Sequence, residues 1–353
     1  MNNAFTDYLG KHTEAEWLAA IESLLPAIHE VDRAAVQIWF RFYPLSLHQF
    51  LASAEDRDKA IQGFAIQGEY SLDTQIDSSH HFLYGHRFWK TVKAAIEAEI
   101  VTFENAEIEL SEEIRQIAAM VAEKLKVDTS LTLAITAIGV MTLVQVGADA
   151  FKAAGGEIEK PARILAKSPD AIVKERSSDD SQGILGFLKT VNKEYSIIYD
   201  ENDSNGKFPI MNEQELTGAS ALDQSKNWKE MDERCWEGVI PVECTAASCG
   251  TCWVGVIGGQ EKLTEVSTRE RTAMKSFGYN QPVDEKPFMR LACQAKAAGN
   301  ATIVVPPWNG VFGKKVYGNI EEKELYPATT SAKKLRETIA TAVGAEPPAA
   351  AGE

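Results

Sequence analysis

The chain is 353 residues long, which is enough for two domains that each bury a core of their own. Apolar residues make up 44% and charged residues 25% of it, as in soluble globular proteins. The formal net charge of -15 excludes the basic surface of a nucleic-acid-binding protein and is compatible with docking onto a basic patch of a partner protein.

The N-terminal segment, residues 1–17, lacks a basic stretch followed by an apolar one, so no secretory signal or transit peptide is predicted. The chain contains five cysteines. In a chain without an export signal, clustered cysteines indicate a metal site rather than disulfides, and we expect a reducing cytoplasmic compartment.

Helical periodicity dominates the first half of the chain. Thr13 and Glu16 have the spacing of a capping box, which predicts the start of a helix. A second helix is predicted over residues 32–42 and should stop near Pro44. We therefore predict an all-α helical bundle over residues 1–175, which would dock the protein onto a partner or form a homo-oligomer. No strand pattern appears before residue 190, and further helices are predicted over residues 46–66, 79–101, 111–126, 130–153 and 160–175.

Residues 129–148 contain no charged side chain and are long enough to span a bilayer. However, Thr132, Thr136 and Gln145 make the segment less apolar, and no Lys/Arg-rich flank anchors either end. We therefore expect a helix buried at the centre of the bundle rather than a membrane contact.

The second half of the chain has a shorter, strand-like period. Residues 176–189 have the composition of a linker, and the order of elements after it predicts an α+β domain over residues 190–313. Residues 314–353 are predicted to form a C-terminal extension with a helix at 330–343 and a disordered tail. The elements predicted in the α+β domain are strands at 195–199, 207–211, 253–257 and 301–305 and helices at 225–237 and 268–277.

Four cysteines of the second half form a motif: Cys244, Cys249 and Cys252 have the spacing C-x4-C-x2-C, and Cys293 lies far downstream. A [2Fe–2S] cluster needs two protein sulfurs for each iron, and this is the spacing of plant-type ferredoxins. The small residues of the loop let the backbone wrap around a cluster and donate N–H groups to the sulfurs. Zinc is the alternative, but zinc modules favour two close cysteine pairs, and the chain has a single Cys-x2-Cys. The four cysteines are therefore the predicted metal ligands, and no catalytic residue is predicted.

On these residues the chain resembles the β-grasp [2Fe–2S] ferredoxin family, over about residues 190–313. The resemblance implies a β-grasp fold, a [2Fe–2S] cluster and one-electron transfer. It also implies that Cys244 and Cys249 bind one iron and that Cys252 and Cys293 bind the other. The segments that carry it are CTAASCGTC, WVGVI followed by two glycines, RLACQ and the closing strand ATIVV.

Two features depart from the family pattern. Ala247 stands where the family usually has glycine, so either a cluster amide is displaced or the position is less strained. The interval between Cys252 and Cys293 is also longer, and its insert, residues 262–286, would form a partner-facing surface. Neither departure removes a ligand.

The fifth cysteine, Cys235, lies just before the motif. It would be a spare ligand of a larger cluster, a redox-active thiol or a small buried apolar residue. The last interpretation is favoured for a lone cysteine on a helix.

All six histidines precede residue 87, and residues 79–89 combine His80, His81 and His86 with aromatic side chains. A pair such as His81 and His86 would suit the axial positions of a haem. However, residues five apart do not share one helix face, and the chain has no Cys-x-x-Cys-His attachment motif. A packed aromatic cluster is the favoured interpretation.

The sequence favours an electron-transfer protein that acts as an accessory subunit of a larger oxidoreductase complex, such as a hydrogenase or an oxygenase. A free carrier needs only the cluster domain, whereas this chain adds a helical region without P-loop, dinucleotide-binding or nucleophile motifs. Two alternatives stay open: a redox enzyme with haem in the helical half, and a redox sensor.

Overall fold

The computed structural model of the protein describes residues 4–104, 107–178, 193–279 and 287–318. Helices fill the described chain before residue 178, and a mixed sheet dominates the part after residue 193. The expected change from a helical half to a half with strands is therefore confirmed. Most of the predicted linker lies outside the described residues, as do the predicted helix at 330–343 and the tail.

Ten helices are described in the first half. The predicted helix over 46–66 is wrong in extent, because it is divided into two short helices, and the one over 79–101 begins with turns and a 3-10 helix at Tyr84–Phe88. The helices are α1 Ala4–Leu9, α2 Glu14–Leu24, α3 Glu30–Phe42, α4 Leu45–Ser53, α5 Arg57–Gly63, α6 Trp89–Thr102, α7 Leu110–Leu125, α8 Leu133–Ala153, α9 Ala162–Leu165 and α10 Pro169–Arg176.

The predicted capping box at the start of α2 is confirmed. The Glu16 backbone N–H donates to Thr13 Oγ1 at 3.3 Å, and the Thr13 backbone N–H donates to the Glu16 carboxylate at 2.7 Å. These bonds satisfy two donors that have no partner inside the helix. Helix α3 ends at Phe42, and Pro44 is the N-cap residue of the next helix, so the chain turns where the proline predicts.

Helix α8 is the central helix of the first half and packs against α3, α6 and α7. Two of its polar side chains are hydrogen-bonded inside the protein: Thr142 Oγ1 donates to the carbonyl of Ile138 at 2.8 Å, and the Gln145 amide N–H donates to the carbonyl of Tyr43 at 2.9 Å. The buried Thr136 hydroxyl has no hydrogen-bond partner among the described residues. By length and composition α8 could cross a membrane, but 67% of its most apolar window is buried within the protein. The core helices of soluble proteins have the same properties.

The second half is built on a five-stranded sheet whose strands lie in the order β3 (Lys207–Met211), β2 (Glu194–Ile198), β6 (Ala301–Val304), β4 (Trp253–Gly258) and β5 (Met289–Leu291). The hairpin β2–β3 is antiparallel, β2 and β6 are parallel, and β4 is antiparallel to both of its neighbours. The elements are β2 Glu194–Ile198, β3 Lys207–Met211, α11 Leu216–Leu222, α12 Trp228–Met231, β4 Trp253–Gly258, α13 Thr268–Phe277, β5 Met289–Leu291, β6 Ala301–Val304, β7 Trp308–Asn309 and α14 Gly313–Tyr317.

Two expectations about these elements are wrong. The helix predicted over 225–237 is a single turn, α12, because the Asp232 carboxylate accepts the backbone N–H of Arg234 and turns the chain. A strand also exists before residue 190: β1, Gln67–Gly68, pairs with β7 in a separate two-stranded sheet. A two-residue strand carries no alternating pattern, so the sequence could not show it.

The two halves share one apolar core. Strand β4 lies directly on α3, and a Cβ added to Gly255 would come within 2.7 Å of the Ile38 side chain. The ring of Phe42 meets Trp253 edge-on at 5.3 Å, and the indole N–H of Trp308 donates to the Phe42 carbonyl at 2.6 Å. The helical half therefore covers one face of the sheet, and the core crosses the predicted domain boundary.

Because Trp308 is fully buried between the halves, Trp308→Ala should lower the free energy of unfolding by about 3–5 kcal/mol. Urea unfolding followed by far-ultraviolet circular dichroism, which reports mainly the helical half, measures this change. The same transition should appear in near-ultraviolet circular dichroism of the sheet half, since the two share their core.

Leu222→Ala is the control, because that side chain is 74% exposed and its removal should change stability by less than about 0.5 kcal/mol. Two separate transitions in the parent protein, with the helical signal unaffected by Trp308→Ala, would contradict the shared core.

Candidate metal centre

The sheet brings the distant cysteine to the cysteine loop. Cys252 directly precedes β4, and Cys293 follows β5, which pairs with β4 in the register Trp253↔Leu291. The Ala292 backbone N–H donates to the Cys252 carbonyl at 2.9 Å and continues the ladder to the two thiols. The long interval between these cysteines therefore closes through neighbouring strands.

The four thiols lie as two hydrogen-bonded pairs. A hydrogen bond from Cys249 lowers the pKa of Cys244 to about 4, and the same bond raises the pKa of Cys249. In the second pair, the hydrogen bond with Cys293 raises the pKa of Cys252, and that of Cys293 is lowered. Each pair thus holds two sulfurs within hydrogen-bonding distance of each other, and both sulfurs of a pair would be thiolates when they bind an iron.

This pairing agrees with the iron assignment that the family resemblance implies. Zinc would need about four donors around one ion. In the part of the chain that the structure describes, no group of three or more His, Cys, Asp or Glu side chains is placed to hold a single metal ion. Two thiol pairs instead match a cluster of two irons.

Burial differs among the four cysteines. Cys244, Cys252 and Cys293 are 1–4% exposed, whereas Cys249 is only partly buried. Thiolates in a nearly dry volume need hydrogen-bond donors. The Thr251 backbone N–H points at Cys249 Sγ at 3.5 Å, and the Gln294 side-chain amide points at Cys293 Sγ at 3.5 Å.

Ala247 retains the backbone conformation that usually favours glycine. Its φ is 53°, in the left-handed region, which costs an L-residue about 1–2 kcal/mol. Its methyl group is buried in the core, which offsets part of that cost. The sequence leaves open either a displaced cluster amide or a less strained backbone at Ala247. The left-handed φ of Ala247 is inconsistent with the second possibility. Gly250, at φ 73°, faces the Phe277 ring, and a Cβ there would lie 3.2 Å from it.

The insert supports the loop through a buried ion pair. Arg290 on β5 makes two bonds to the Glu270 carboxylate on α13, at 2.8 and 3.0 Å. The Leu291 backbone N–H donates to the same carboxylate at 2.9 Å. Glu270 is fully buried, so the inner face of α13 fixes the strand that leads to Cys293. The partner-facing surface predicted for the insert would be the opposite face of α13. Residues 280–286 of the insert lie outside the described chain.

Tyr279 is a further residue of the site that sequence reasoning missed. Its hydroxyl lies 2.9 Å from the carbonyl oxygens of Gly250 and Gly310, and its ring stacks on Trp253 at 4.2 Å. It joins the cysteine loop to the chain segment after β7. The sequence signal was weak, because these partners lie about 30 residues away on either side.

An open groove of about 570 Å³ lies beside Cys249. Residues 62–65 of the helical half form one wall, and the ends of α13 and α14 form the other. Phe64, Phe277 and Phe312 make it apolar, and Lys314 and Lys315 stand at its side. Among the described residues that line the groove, none is acidic.

Residues 223–298 match the family model of the 2Fe-2S iron-sulfur cluster binding domain. This segment of the chain is therefore a [2Fe–2S] ferredoxin-family segment, and its cofactor is a [2Fe–2S] cluster. The match contains the four predicted ligands and leaves the helical half outside it. Neither the curated proteins nor the solved structures contain a significant match to the chain.

The histidine-rich segment forms a different pair from the one the sequence suggested. The Nδ1 atoms of His80 and His86 lie 2.8 Å apart in the core, whereas His81 is exposed. Burial lowers the pKa of His80 well below its usual value and that of His86 to about 3, so both rings are neutral at pH 7. The His80 ring also packs on Trp89 at 4.3 Å, as in the packed aromatic cluster that the sequence favoured.

Cys235 is separate from the four thiols. It is 4% exposed, its thiol donates to the Val239 carbonyl at 3.2 Å, and burial raises its pKa to about 12. A thiol with a raised pKa stays protonated at neutral pH and is a poor nucleophile. The interpretation as a small buried residue therefore agrees with its surroundings.

Cys293→Ser should abolish the visible absorption of the normal cluster, because one iron loses a thiolate. Iron and acid-labile sulfide determinations together with the visible spectrum measure this loss, and circular dichroism should show that the helical half remains folded. The matched control is Cys235→Ser, which should keep the spectrum. A parent-like spectrum in Cys293→Ser would contradict the ligand assignment.

Glu270→Gln should destabilise the protein by about 3 kcal/mol, because it leaves the buried Arg290 guanidinium without its anion. The cluster should also be lost faster during incubation with a chelator, and the decay of visible absorption measures this rate. Glu265→Gln removes an exposed carboxylate at the start of the same insert and should change neither quantity. Equal decay rates in the two variants would show that the pair does not support the centre.

Proposed function

We propose that the protein is a one-electron carrier and an accessory subunit of a larger oxidoreductase complex, such as a hydrogenase or an oxygenase. The observation that carries this proposal is the uneven burial of the four thiols: three are closed off in the core and Cys249 alone borders an open groove. The bound [2Fe–2S] cluster would supply reversible one-electron chemistry, with a reduction potential of about -400 mV for all-cysteine ligation.

The residues around the thiols have definable roles in this function. Cys244 and Cys249 would hold the outer iron, and Cys252 and Cys293 the inner one. The N–H donors of Thr251 and Gln294 stabilise negative charge on the sulfurs and so raise the reduction potential relative to a site without them. The apolar packing around Cys252 excludes water from the inner side.

The groove beside Cys249 is the proposed contact for the redox partner. Lys315 donates to the Gly63 carbonyl and lies 5.3 Å from the Phe64 ring centroid, so its charge is fixed at the groove wall. The fixed charge of Lys315, in a groove whose described lining contains no carboxylate, favours an acidic partner, although the whole chain has a net charge of -15. The expectation of a basic partner from net charge thus does not apply to this groove.

The helical half would contribute to the same contact. Residues 62–65 belong to it and line the groove together with Cys249. A partner bound there would touch both halves, which would explain why the cluster segment is joined to a helical region. This supports the role of a subunit over that of a free carrier.

Dithionite should transfer one electron per chain to the cluster. This reduction should bleach the visible absorption and give a rhombic low-temperature EPR signal. The reduced protein is then mixed by stopped flow with ferricyanide, an anion, or with hexaamminecobalt(III), a cation. At low ionic strength, Lys315→Gln should slow oxidation by ferricyanide by about 2- to 5-fold and should not slow oxidation by the cobalt complex.

Lys152→Gln is the control, since it removes the same charge from an exposed position on α8 away from the groove. A cluster that takes up no electron from dithionite would end the carrier proposal. If both substitutions changed the rate of oxidation by ferricyanide equally, the groove would not be the contact for the partner. The proposal of a one-electron carrier would still stand.

A further inference from the structure

A second cavity, of about 190 Å³, lies between the two halves at the far end of β4 from the cysteines. Its walls are residues 81–87, residues 160–167 and the loop of the β2–β3 hairpin, and its floor is the end of β4 and β6. From Cys252 to Ile257 an extended strand runs about 16 Å, so the cavity does not touch the proposed cluster site.

Some of the charged side chains that line this cavity form ion pairs. Lys167 bonds to Glu175 at 2.6 Å, and Arg176 bonds to Glu201 at 2.7 Å. Asp203 is bound at 2.8 Å by Lys226, a residue outside the lining. These contacts account for three of the four carboxylates around the cavity, and Asp200, the fourth, accepts the backbone N–H of Asn202.

Of the four other cations in the lining, Lys207 is exposed, and the remaining three are held by neutral oxygens. Lys160 donates to the His81 carbonyl at 2.7 Å and to the Asn202 side-chain oxygen at 3.1 Å. Arg163 donates to the Asn202 carbonyl, and Arg87 donates to carbonyls of residues 164, 165 and 167. No carboxylate contacts these three cations within the described chain. The cavity therefore has a surplus of positive charge in a chain of net charge -15.

This surplus of positive charge disfavours the charged form of Lys160. Burial, and after it the nearby Arg87, lowers the pKa of the Lys160 ammonium to about 8, and the carboxylates of Asp32, Glu201 and Asp200 only partly oppose this shift. Lys160 uses two of its three N–H donors in the contacts above, and Arg163 uses one of its five. An anion in the cavity would accept the remaining donors and offset the desolvation of the cations.

We propose that this cavity binds the phosphate group of a small molecule, with Arg163 and Lys160 as its direct contacts and Arg87 as a nearby charge. The planar guanidinium of Arg163 suits the geometry of phosphate oxygens, and the Lys160 ammonium adds a point charge. Arg87 is fixed over the Tyr84 ring at 3.5 Å, which holds its charge at the wall. Tyr199 and Phe82 leave an apolar wall for a small organic group on that phosphate.

Binding is measured by isothermal titration calorimetry on the full chain at pH 7, with inorganic phosphate and glycerol 3-phosphate as probes and sodium acetate as the comparison. Phosphate should saturate one site and acetate should bind at least about 10-fold more weakly, since it has one charge and two oxygens. Tighter binding of glycerol 3-phosphate would identify a phosphate ester as the ligand, and equal binding would identify free phosphate.

Arg163→Gln should weaken phosphate binding by about 10-fold or more. Lys174→Gln removes the same charge from an exposed position on α10 outside the lining and should change the affinity by less than about 2-fold. Lys160→Gln provides a second test with the same expected loss if Arg163→Gln does not fold. Absence of saturable binding up to about 20 mM phosphate, or equal affinities in all variants, would overturn the proposal.

The cluster variant separates this proposal from the proposed function. Cys293→Ser should bind phosphate with the parent affinity, because the two sites lie at opposite ends of β4. Loss of phosphate binding in Cys293→Ser, with the helical half folded, would contradict the independence of the cavity.

Discussion

The structure depends on holding four thiol groups side by side in a volume that is nearly closed to water. Three of them come from one short loop, but the fourth is about forty residues away and reaches the loop only because β5 pairs with β4. The register of those two strands sets the distance between Cys252 and Cys293. Every support of β4 and β5 is therefore also a support of the site.

Those supports come from both halves of the chain. Helix α3 covers one face of β4, and Gly255 provides the close approach to Ile38. The Glu270–Arg290 pair fixes β5 from the other side, and Trp308 bonds to the Phe42 carbonyl. The cysteine loop can then tolerate Ala247 in a left-handed conformation, because its surroundings determine the backbone there.

The sequence was sufficient where local patterns determine structure. Alternating residues indicated β2 and β3, the Ser267 and Gly278 caps delimit the predicted helix α13, and the cysteine spacing indicated the cofactor of the segment that the family model matches. The missed strands β1 and β7 pair with each other from distant parts of the chain, and α12 is shorter than predicted because the chain turns at Asp232. The pairing of His80 with His86 was missed because it depends on turns rather than on a continuous helix.

The two sites lie at opposite ends of the sheet half, and both are bordered by cations. The cysteine end is bordered by an apolar groove with lysines, and the other end by a cavity with three cations bound to neutral oxygens. Both are walled in part by the helical half, so a single rigid core positions both sites. This arrangement gives the helical half a physical role beside the segment that carries the four thiols.

Mössbauer spectroscopy of protein enriched in ⁵⁷Fe tests the central claim most directly. The account predicts two irons per chain, both ferric with tetrahedral sulfur coordination and jointly diamagnetic when oxidised, of which one becomes ferrous on reduction. A single magnetically isolated iron per chain, or stoichiometric zinc without iron, would contradict it.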